Sequence, residues 1–233
     1  MNKFKTSGTT GDNKVFYVSD EFLKERSDRF DLTKGSELGE ANSLLVCLSK
    51  KHITGRHYAD WAADRNIPFR FVEGSIDDTV AFILTEKPNV IVGGPGYLTE
   101  IAKRLNKRHI FDVVISTSSG IKRDQLRTLK TMGTRVVSDY GTSEVSGISK
   151  ATSEMLEANP NCVGTPHSDV EIRIENGEIQ VKNPVMIASY ENPMHTSMKF
   201  TSDGWFRTGD RGYLADGMLF LVGRMDPIVR PKI

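Results

Sequence analysis

Between Ser43 and Gly141 the chain alternates short apolar runs with segments of helical spacing, and this rhythm limits the possible folds more than any other feature. The runs predict strands over 44–48, 69–72, 89–92, 113–116 and 135–138. Between them, residues 56–65 read as a helix. A second helix starts at Ser75 or Asp77, carries acids in its first turn and stops before Pro88. A third, over 97–105, places Leu98, Ile101, Ala102 and Leu105 on one face, and a fourth covers 123–132. Strand, helix, strand, helix at this pace means βαβ units and a mostly parallel sheet with flanking helices, an α/β fold. Continuous apolar strands fit a sheet covered on both faces.

The pattern changes near Asn159. Val170-Glu171-Ile172-Arg173-Ile174-Glu175 alternates with period two, and Asn176-Gly177 then turns the chain into 178–182, a strong hairpin signal. Residues 204–207 and 219–222 read as further strands, with a turn at Asp216-Gly217. The expected organisation is an α/β part over 1–158 and a small antiparallel β-subdomain over 159–233.

Net charge is +1, from 31 Lys plus Arg against 30 Asp plus Glu, which gives no global argument for nucleic acid or an anionic membrane. Cys47 and Cys162 are far apart and belong to no Cys/His cluster, which argues against a disulfide framework or a structural zinc. No apolar stretch reaches the length of a membrane span, and Met1-Asn2-Lys3-Phe4-Lys5 has no signal-peptide core. The expected setting is reducing and cytoplasmic.

Candidate chemistry begins at Thr6-Ser7-Gly8-Thr9-Thr10-Gly11-Asp12-Asn13-Lys14. Glycines allow close backbone approach, amides and hydroxyls donate to phosphate oxygens, and Lys14 supplies positive charge. The segment is not a Walker A loop, because no Gly-Lys-Ser/Thr closes it. A plain Ser/Thr/Gly loop is the alternative, and almost nothing precedes the segment to form a strand before it. Sheets of the expected kind bind ligands at the carboxyl ends of their strands. That rule gathers Gly93-Gly94-Pro95-Gly96, Thr117-Ser118-Ser119-Gly120 and Asp139-Tyr140-Gly141-Thr142-Ser143-Glu144 at one rim. Further on stand Arg207-Thr208-Gly209-Asp210 and Gly223-Arg224-Met225-Asp226. Each has an ordinary alternative: Tyr140 a core aromatic, Glu144 a loop acid, Thr208 to Asp210 a turn, Arg224 a surface ion-pair residue.

Taken in order, these segments resemble the adenylate-forming superfamily of acyl-CoA synthetases, peptide-synthetase adenylation domains and luciferases. The opening segment matches T-S-G-T-T-G-x-P-K, with Asn13 in place of Pro. Tyr140 to Glu144 matches Y-G-x-T-E with Ser143 for Thr. Arg207 to Asp210 matches R-T-G-D, and Gly223 to Asp226 matches G-R-x-D. His52-x-x-Gly55, Ser118-Ser119-Gly120 and Gly177-Glu178-Ile179 are weaker echoes. The resemblance implies a core like the superfamily's N-terminal domain. Thr6, Ser7, Gly8, Thr9, Thr10, Gly11 and Lys14 would wrap the β- and γ-phosphates of ATP. Asp139 to Ser143 would border the nucleotide, with the Tyr140 ring on adenine and Ser119-Gly120 along its edge. Glu144 would hold Mg²⁺, Asp210 the ribose hydroxyls, and Arg224 the ribose or phosphate region. His52, a plain loop histidine on the alternative reading, would border the acid with Gly93, Gly94 and Pro95. Thr10, Lys14, Glu144 and Arg224 would serve catalysis. The implied reaction joins a carboxylate to the α-phosphorus of ATP and yields an acyl-adenylate and pyrophosphate, with ATP (or AMP) and Mg²⁺ as the bound cofactors. The alternative is a reduced ATP/AMP-binding module or a regulatory or assembly subunit.

Members of that superfamily usually carry a subdomain before the phosphate loop and a lid domain after the G-R-x-D hinge. The lid brings a catalytic lysine. No residue here matches that lysine; Lys232 is too near the hinge, and Arg230 stands where Lys is usual. A minimal core is therefore expected to adenylate slowly alone, or to be completed by a partner chain. It is also expected to expose an apolar face that self-association or a partner covers.

Overall fold

The computed structural model describes residues 1–6, 14–72 and 74–225. Strands β1 (Asn2–Lys5) and β2 (Val15–Val18) form a separate antiparallel pair. Helix α1 (Asp20–Leu38) leads into β3 (Leu44–Cys47), α2 (Ile53–Asp64), β4 (Phe69–Phe71), α3 (Ile76–Glu86) and β5 (Val90–Gly93). Next come α4 (Pro95–Leu105), β6 (Phe111–Thr117), α5 (Arg123–Leu129), β7 (Gly133–Thr142), β8 (Ser146–Thr152) and α6 (Ser153–Ala158). Strands β9 (Cys162–Pro166), β10 (Glu171–Glu175) and β11 (Glu178–Lys182), helix α7 (Pro193–Lys199), and strands β12 (Phe206–Ala215) and β13 (Met218–Arg224) follow.

Among the described residues one sheet runs in the order β10-β11-β12-β13-β9-β8-β7-β6-β5-β3-β4. Strands β4, β3, β5, β6 and β7 are parallel, and every pair from β7–β8 outward is antiparallel. The expected α/β class holds. The antiparallel tail continues the same sheet, and the change of direction falls at β7–β8.

Side-chain alternation explains the two helical layers. Leu45, Ile91, Val114 and Val136 pack with Ile83 of α3, Leu98 and Ile101 of α4, Leu126 of α5 and Leu156 of α6. Their neighbours Leu44, Val46, Val90, Val92, Val113, Ile115 and Val137 pack with Phe30 of α1 and Tyr58 and Trp61 of α2. Ser75 is the cap of α3: its Oγ accepts from the Asp78 amide at 3.2 Å, and Asp78 accepts from the Ser75 amide at 3.0 Å. Asn176 and Gly177 take φ of 52° and 78°, the left-handed pair that the two-residue β10–β11 turn requires.

Helix α1 was not visible in the sequence. Ser19 caps it, accepting from the Phe22 amide at 3.0 Å. Its inward positions, however, include Arg26, Ser27, Arg29, Thr33 and Lys34, all buried, so no apolar period marks the helix. Arg29 is held by Asp169 through two bonds of 2.5 and 2.8 Å, and Lys34 pairs with Asp139.

The chain order places a topological switch at β3. From β3 the chain passes to β4 on one side, then returns to β5, β6 and β7 on the other. In open α/β sheets the crevice beyond the carboxyl ends at such a point receives ligands. Among the described residues no helix is long and apolar enough to cross a membrane. Exposed large apolar side chains include Leu32 of α1, Phe69 of β4, Met194 and Met198 of α7, and Tyr213, Leu214 and Val222 of β12 and β13.

Candidate functional site

Strand β7 ends in a turn that only glycine permits. A Cβ on Gly141 would lie 2.2 Å from the Ser146 carbonyl oxygen, where the β7–β8 register shifts. Thr142 Oγ1 then accepts from the Val145 amide at 3.3 Å, and Glu144 turns inward, 7% exposed. Its Oε1 accepts from the Tyr190 hydroxyl at 2.5 Å, and its backbone carbonyl accepts from the Ile187 amide at 2.9 Å. Burial, then the Glu144 charge, raises the Tyr190 phenol pKa, so Tyr190 acts as a donor.

Tyr190 also joins Glu144 to the hairpin that carries the opening segment. Phe16 of β2 meets the Tyr190 ring edge-on at 6.4 Å, within a cluster that includes Phe4, Val18, Leu23 and Ile187. The Glu191 amide donates to the Val15 carbonyl at 2.7 Å. At the root of the hairpin the Thr6 amide donates to the Lys14 carbonyl at 2.9 Å, and Thr6 Oγ1 accepts from the Lys14 amide at 3.2 Å. Strand β1 precedes the segment, short as the chain before it is. Ser7, Gly8, Thr9, Thr10 and Gly11 lie outside the described residues, as do Asp12, Asn13, Asp226, Arg230 and Lys232.

The second group forms where β12 lies beside β13 in register, Asp210 opposite Arg224. Asp210 is 6% exposed. It accepts from the Tyr140 hydroxyl at 2.8 Å and from Arg224 Nη1 at 2.5 Å. Thr208 Oγ1 donates to the Ile179 carbonyl at 2.7 Å and accepts from the Asp210 amide at 3.0 Å. Gly209, at φ 77°, donates its amide to Glu178 Oε1 at 3.0 Å. Burial, with the adjacent Asp210 charge, holds the Tyr140 phenol well above its ordinary pKa. Tyr140 and Asp210, 70 residues apart, thus make direct contact.

Lys199, which no motif covers, stands between the two groups. Its Nζ donates to the carbonyls of Arg207 and Thr208 at 3.1 and 3.3 Å. A Cβ on Gly209 would lie 3.1 Å from Lys199 Nζ and 3.6 Å from Arg224 Nη2, so the two cations flank that glycine. Burial lowers the Lys199 pKa; Glu144 opposes the shift, and Lys14 and Arg224 reinforce it. The sequence offered little sign of this position beyond a lysine nine residues before Thr208.

Gly93, Gly94 and Pro95 sit at the end of β5 and the start of α4, with Gly94 as N-cap and Pro95 in the first turn. His52 is the N-cap residue of α2, after β3 at the same rim. Ser119 and Gly120 are exposed between β6 and α5, following Ser118 at φ 75°. Asp139 differs from the other acids: its carboxylate is paired with buried Lys34 of α1 and stands apart from the Tyr140–Asp210–Arg224 group. Among the described residues no group of three His, Cys, Asp or Glu could hold a metal by itself. A metal at Glu144 would need ligands from a substrate.

No family model matches the chain. It is 32% identical over 122 residues to the 2-succinylbenzoate–CoA ligase of Enterococcus faecalis, covering 47% of this chain and 25% of that protein. Its fold matches the o-succinylbenzoate coenzyme A synthetase of Bacillus subtilis in complex with ATP and magnesium, with TM-score 0.82 and 23% identity, over 95% of this chain and 49% of that one. The amide bond synthetase McbA of Marinactinospora thermotolerans matches with TM-score 0.81 and 23% identity, over 95% and 48%. The chain therefore spans about half the length of these structural neighbours and a quarter of that curated relative. In sequence over about half of its length, and in fold over nearly all of it, the chain is similar to acyl-CoA ligases.

Proposed function

We propose that this chain binds ATP with Mg²⁺ and activates a carboxylic acid as an acyl-adenylate. The observation that carries this reading is the contact of Tyr140, Asp210 and Arg224, with Lys199 between that group and Glu144. Asp210 would receive both ribose hydroxyls. A carboxylate has about four acceptor positions, so ribose can join Tyr140 and Arg224 there. The Tyr140 ring would face adenine, with Ser119 and Gly120 at its edge. Thr6 to Gly11 and Lys14 would take the β- and γ-phosphates. The acid would enter at the switch point, bordered by His52, Gly93, Gly94 and Pro95.

Glu144 suits Mg²⁺, which is usually held by one or two carboxylates together with substrate phosphates. When bound, the ion neutralises phosphate charge. In the reaction a carboxylate oxygen bonds to the α-phosphorus, and the bond from that phosphorus to the bridging oxygen breaks. Pyrophosphate leaves with the bonding pair. Lys199 and Arg224 are placed to offset the charge that develops. The acyl-adenylate would then pass to a thiol, amine or hydroxyl.

On this reading a nucleotide-binding part spans 1–158, and a β part over 159–233 supplies Asp210, Arg224 and Lys199. A second copy or a separate chain would complete it, in a cytoplasmic setting consistent with two free cysteines. The test is exchange of labelled pyrophosphate into ATP with a panel of carboxylic acids. Acid-dependent exchange is expected. Its absence for every acid, with candidate partners present, refutes the proposal.

A further inference from the structure

Glu144 is fixed at both ends. Its backbone carbonyl accepts from the Ile187 amide at 2.9 Å, and the next carbonyl, of Val145, accepts from Asn183 Nδ2 at 2.5 Å. Its carboxylate accepts from the hydroxyl of Tyr190, a residue 4% exposed. A buried phenol needs a hydrogen-bond partner, and any buried acceptor would satisfy it. The partner here is the carboxylate proposed above to hold Mg²⁺.

Tyr190 is itself clamped. Its amide donates to Thr196 Oγ1 of α7 at 2.9 Å. Its ring meets Phe16 of β2 edge-on at 6.4 Å, His195 edge-on at 6.1 Å and Phe200 at 6.4 Å. The following amide, of Glu191, bonds the Val15 carbonyl, one residue after Lys14. Helix α7 ends in Lys199. One side chain is thereby tied to the root of the opening hairpin, to the helix of Lys199 and to Glu144, and its hydroxyl keeps one position.

The terminal torsion of a glutamate is broad, so a free carboxylate samples many orientations. A donor on Oε1 removes that freedom and leaves Oε2, with the second lone pair of Oε1, to an ion. Mg²⁺ demands near-ideal octahedral geometry, which favours a carboxylate already aimed. Carboxylates that ligate metals are generally held by such bonds, and loss of the bond costs about 10- to 100-fold in metal affinity.

We propose that Tyr190 is the positioning residue of Glu144. Its hydroxyl orients the carboxylate toward Mg²⁺, and its packing sets that carboxylate in register with the hairpin whose root is Thr6 and Lys14. The strengthening of ATP binding by Mg²⁺ then depends on Tyr190. This inference rests on the ligase reading and adds to it a residue that none of the motifs contains.

The test is calorimetric titration with ATP, once in Mg²⁺ and once in EDTA. The ratio of the two affinities is the part that the ion supplies. Tyr190→Phe keeps the ring and its contacts. It should lower that ratio about 10- to 100-fold, and leave ATP affinity in EDTA within about threefold of wild type. The Mg²⁺ concentration for half-maximal pyrophosphate exchange should rise by a similar factor. Tyr17→Phe is the control: it removes an exposed phenol–carboxylate bond of 2.7 Å, to Glu191, on the same hairpin, and should leave the ratio unchanged. A Tyr190→Phe protein that is less stable yet keeps the wild-type ratio would make Tyr190 a core aromatic and overturn the inference. Equal losses in Mg²⁺ and in EDTA would overturn it as well. If Tyr190→Phe does not fold, ¹⁹F NMR of the wild-type chain carrying 3-fluorotyrosine decides. Of its six tyrosine resonances, one that ATP alone leaves in place should move when Mg²⁺ is added to the ATP complex, and no such movement overturns the inference. ATP binding that Mg²⁺ does not strengthen removes Glu144 from the metal and this inference with it, while a chain that binds no ATP overturns the ligase reading itself.

Discussion

Replacement of Asp210 by Ala tests the core of the site in two independent ways. The carboxylate is buried and accepts from the Tyr140 hydroxyl at 2.8 Å and from Arg224 at 2.5 Å. A hydrogen bond to a buried charged group contributes about 1.5–3 kcal/mol. The Arg224 side chain is 53% exposed, so its ion pair adds about 0–1 kcal/mol. The variant should therefore lose about 2–3 kcal/mol of stability without nucleotide, read from urea unfolding. If Asp210 also holds the ribose, calorimetric titration with Mg-ATP should show a further loss of about 2–4 kcal/mol, or about 30- to 700-fold in affinity. Tyr140→Phe separates the two effects. It removes the same phenol donor and its stability contribution, yet keeps the ring and the carboxylate, so Mg-ATP affinity should fall by less than about fivefold. Mg-ATP binding by Asp210→Ala within about threefold of wild type would refute the ribose assignment. Unchanged unfolding would refute the view that Tyr140 and Asp210 depend on each other.

Other expectations follow from the same geometry. Lys199→Met should slow pyrophosphate exchange by about 10²–10³-fold while Mg-ATP affinity changes by less than about tenfold; an unaltered rate removes Lys199 from the chemistry. Gly141→Ala sets a Cβ 2.2 Å from the Ser146 carbonyl oxygen, so melting should reveal a loss of about 2–4 kcal/mol, and a stable variant would disprove the close approach. His167 should make stability depend on pH. Burial and the charges of Lys34, Arg29 and Lys150, opposed by Asp169, bring its pKa down to about 3. Its unfolded value is about 6.5, so on acidification the unfolded chain takes the proton first. Its contribution is then complete above about pH 6.5 and is lost progressively toward pH 3. Because His167 is half-buried, about 2 kcal/mol is expected, and His167→Gln should flatten that slope; an unchanged profile counts against it.

Most of the parallel half of the sheet was legible in the order of residues alone. The inner strands β3 and β5 are buried on both faces and are continuously apolar, so a run such as Val90-Ile91-Val92 is legible in isolation. Ser75 as a cap and Asn176-Gly177 as a turn are equally local, because backbone geometry at those points selects the residue. The order of the motifs was enough to suggest which family the chain resembles.

Tertiary structure decided what depends on distant partners. Helix α1 stayed hidden because its buried face carries Arg26, Arg29 and Lys34, and those charges are tolerable only beside Ser143, Asp169 and Asp139, more than 100 positions away. Strands β8 and β9 became visible only as neighbours that join the parallel and antiparallel halves into one sheet. The contact of Tyr140 with Asp210 and the placement of Lys199 follow from that junction. Periodicity reports which face of an element is apolar. It carries no record of which remote group satisfies a buried charge, and in this chain those remote pairings build the site.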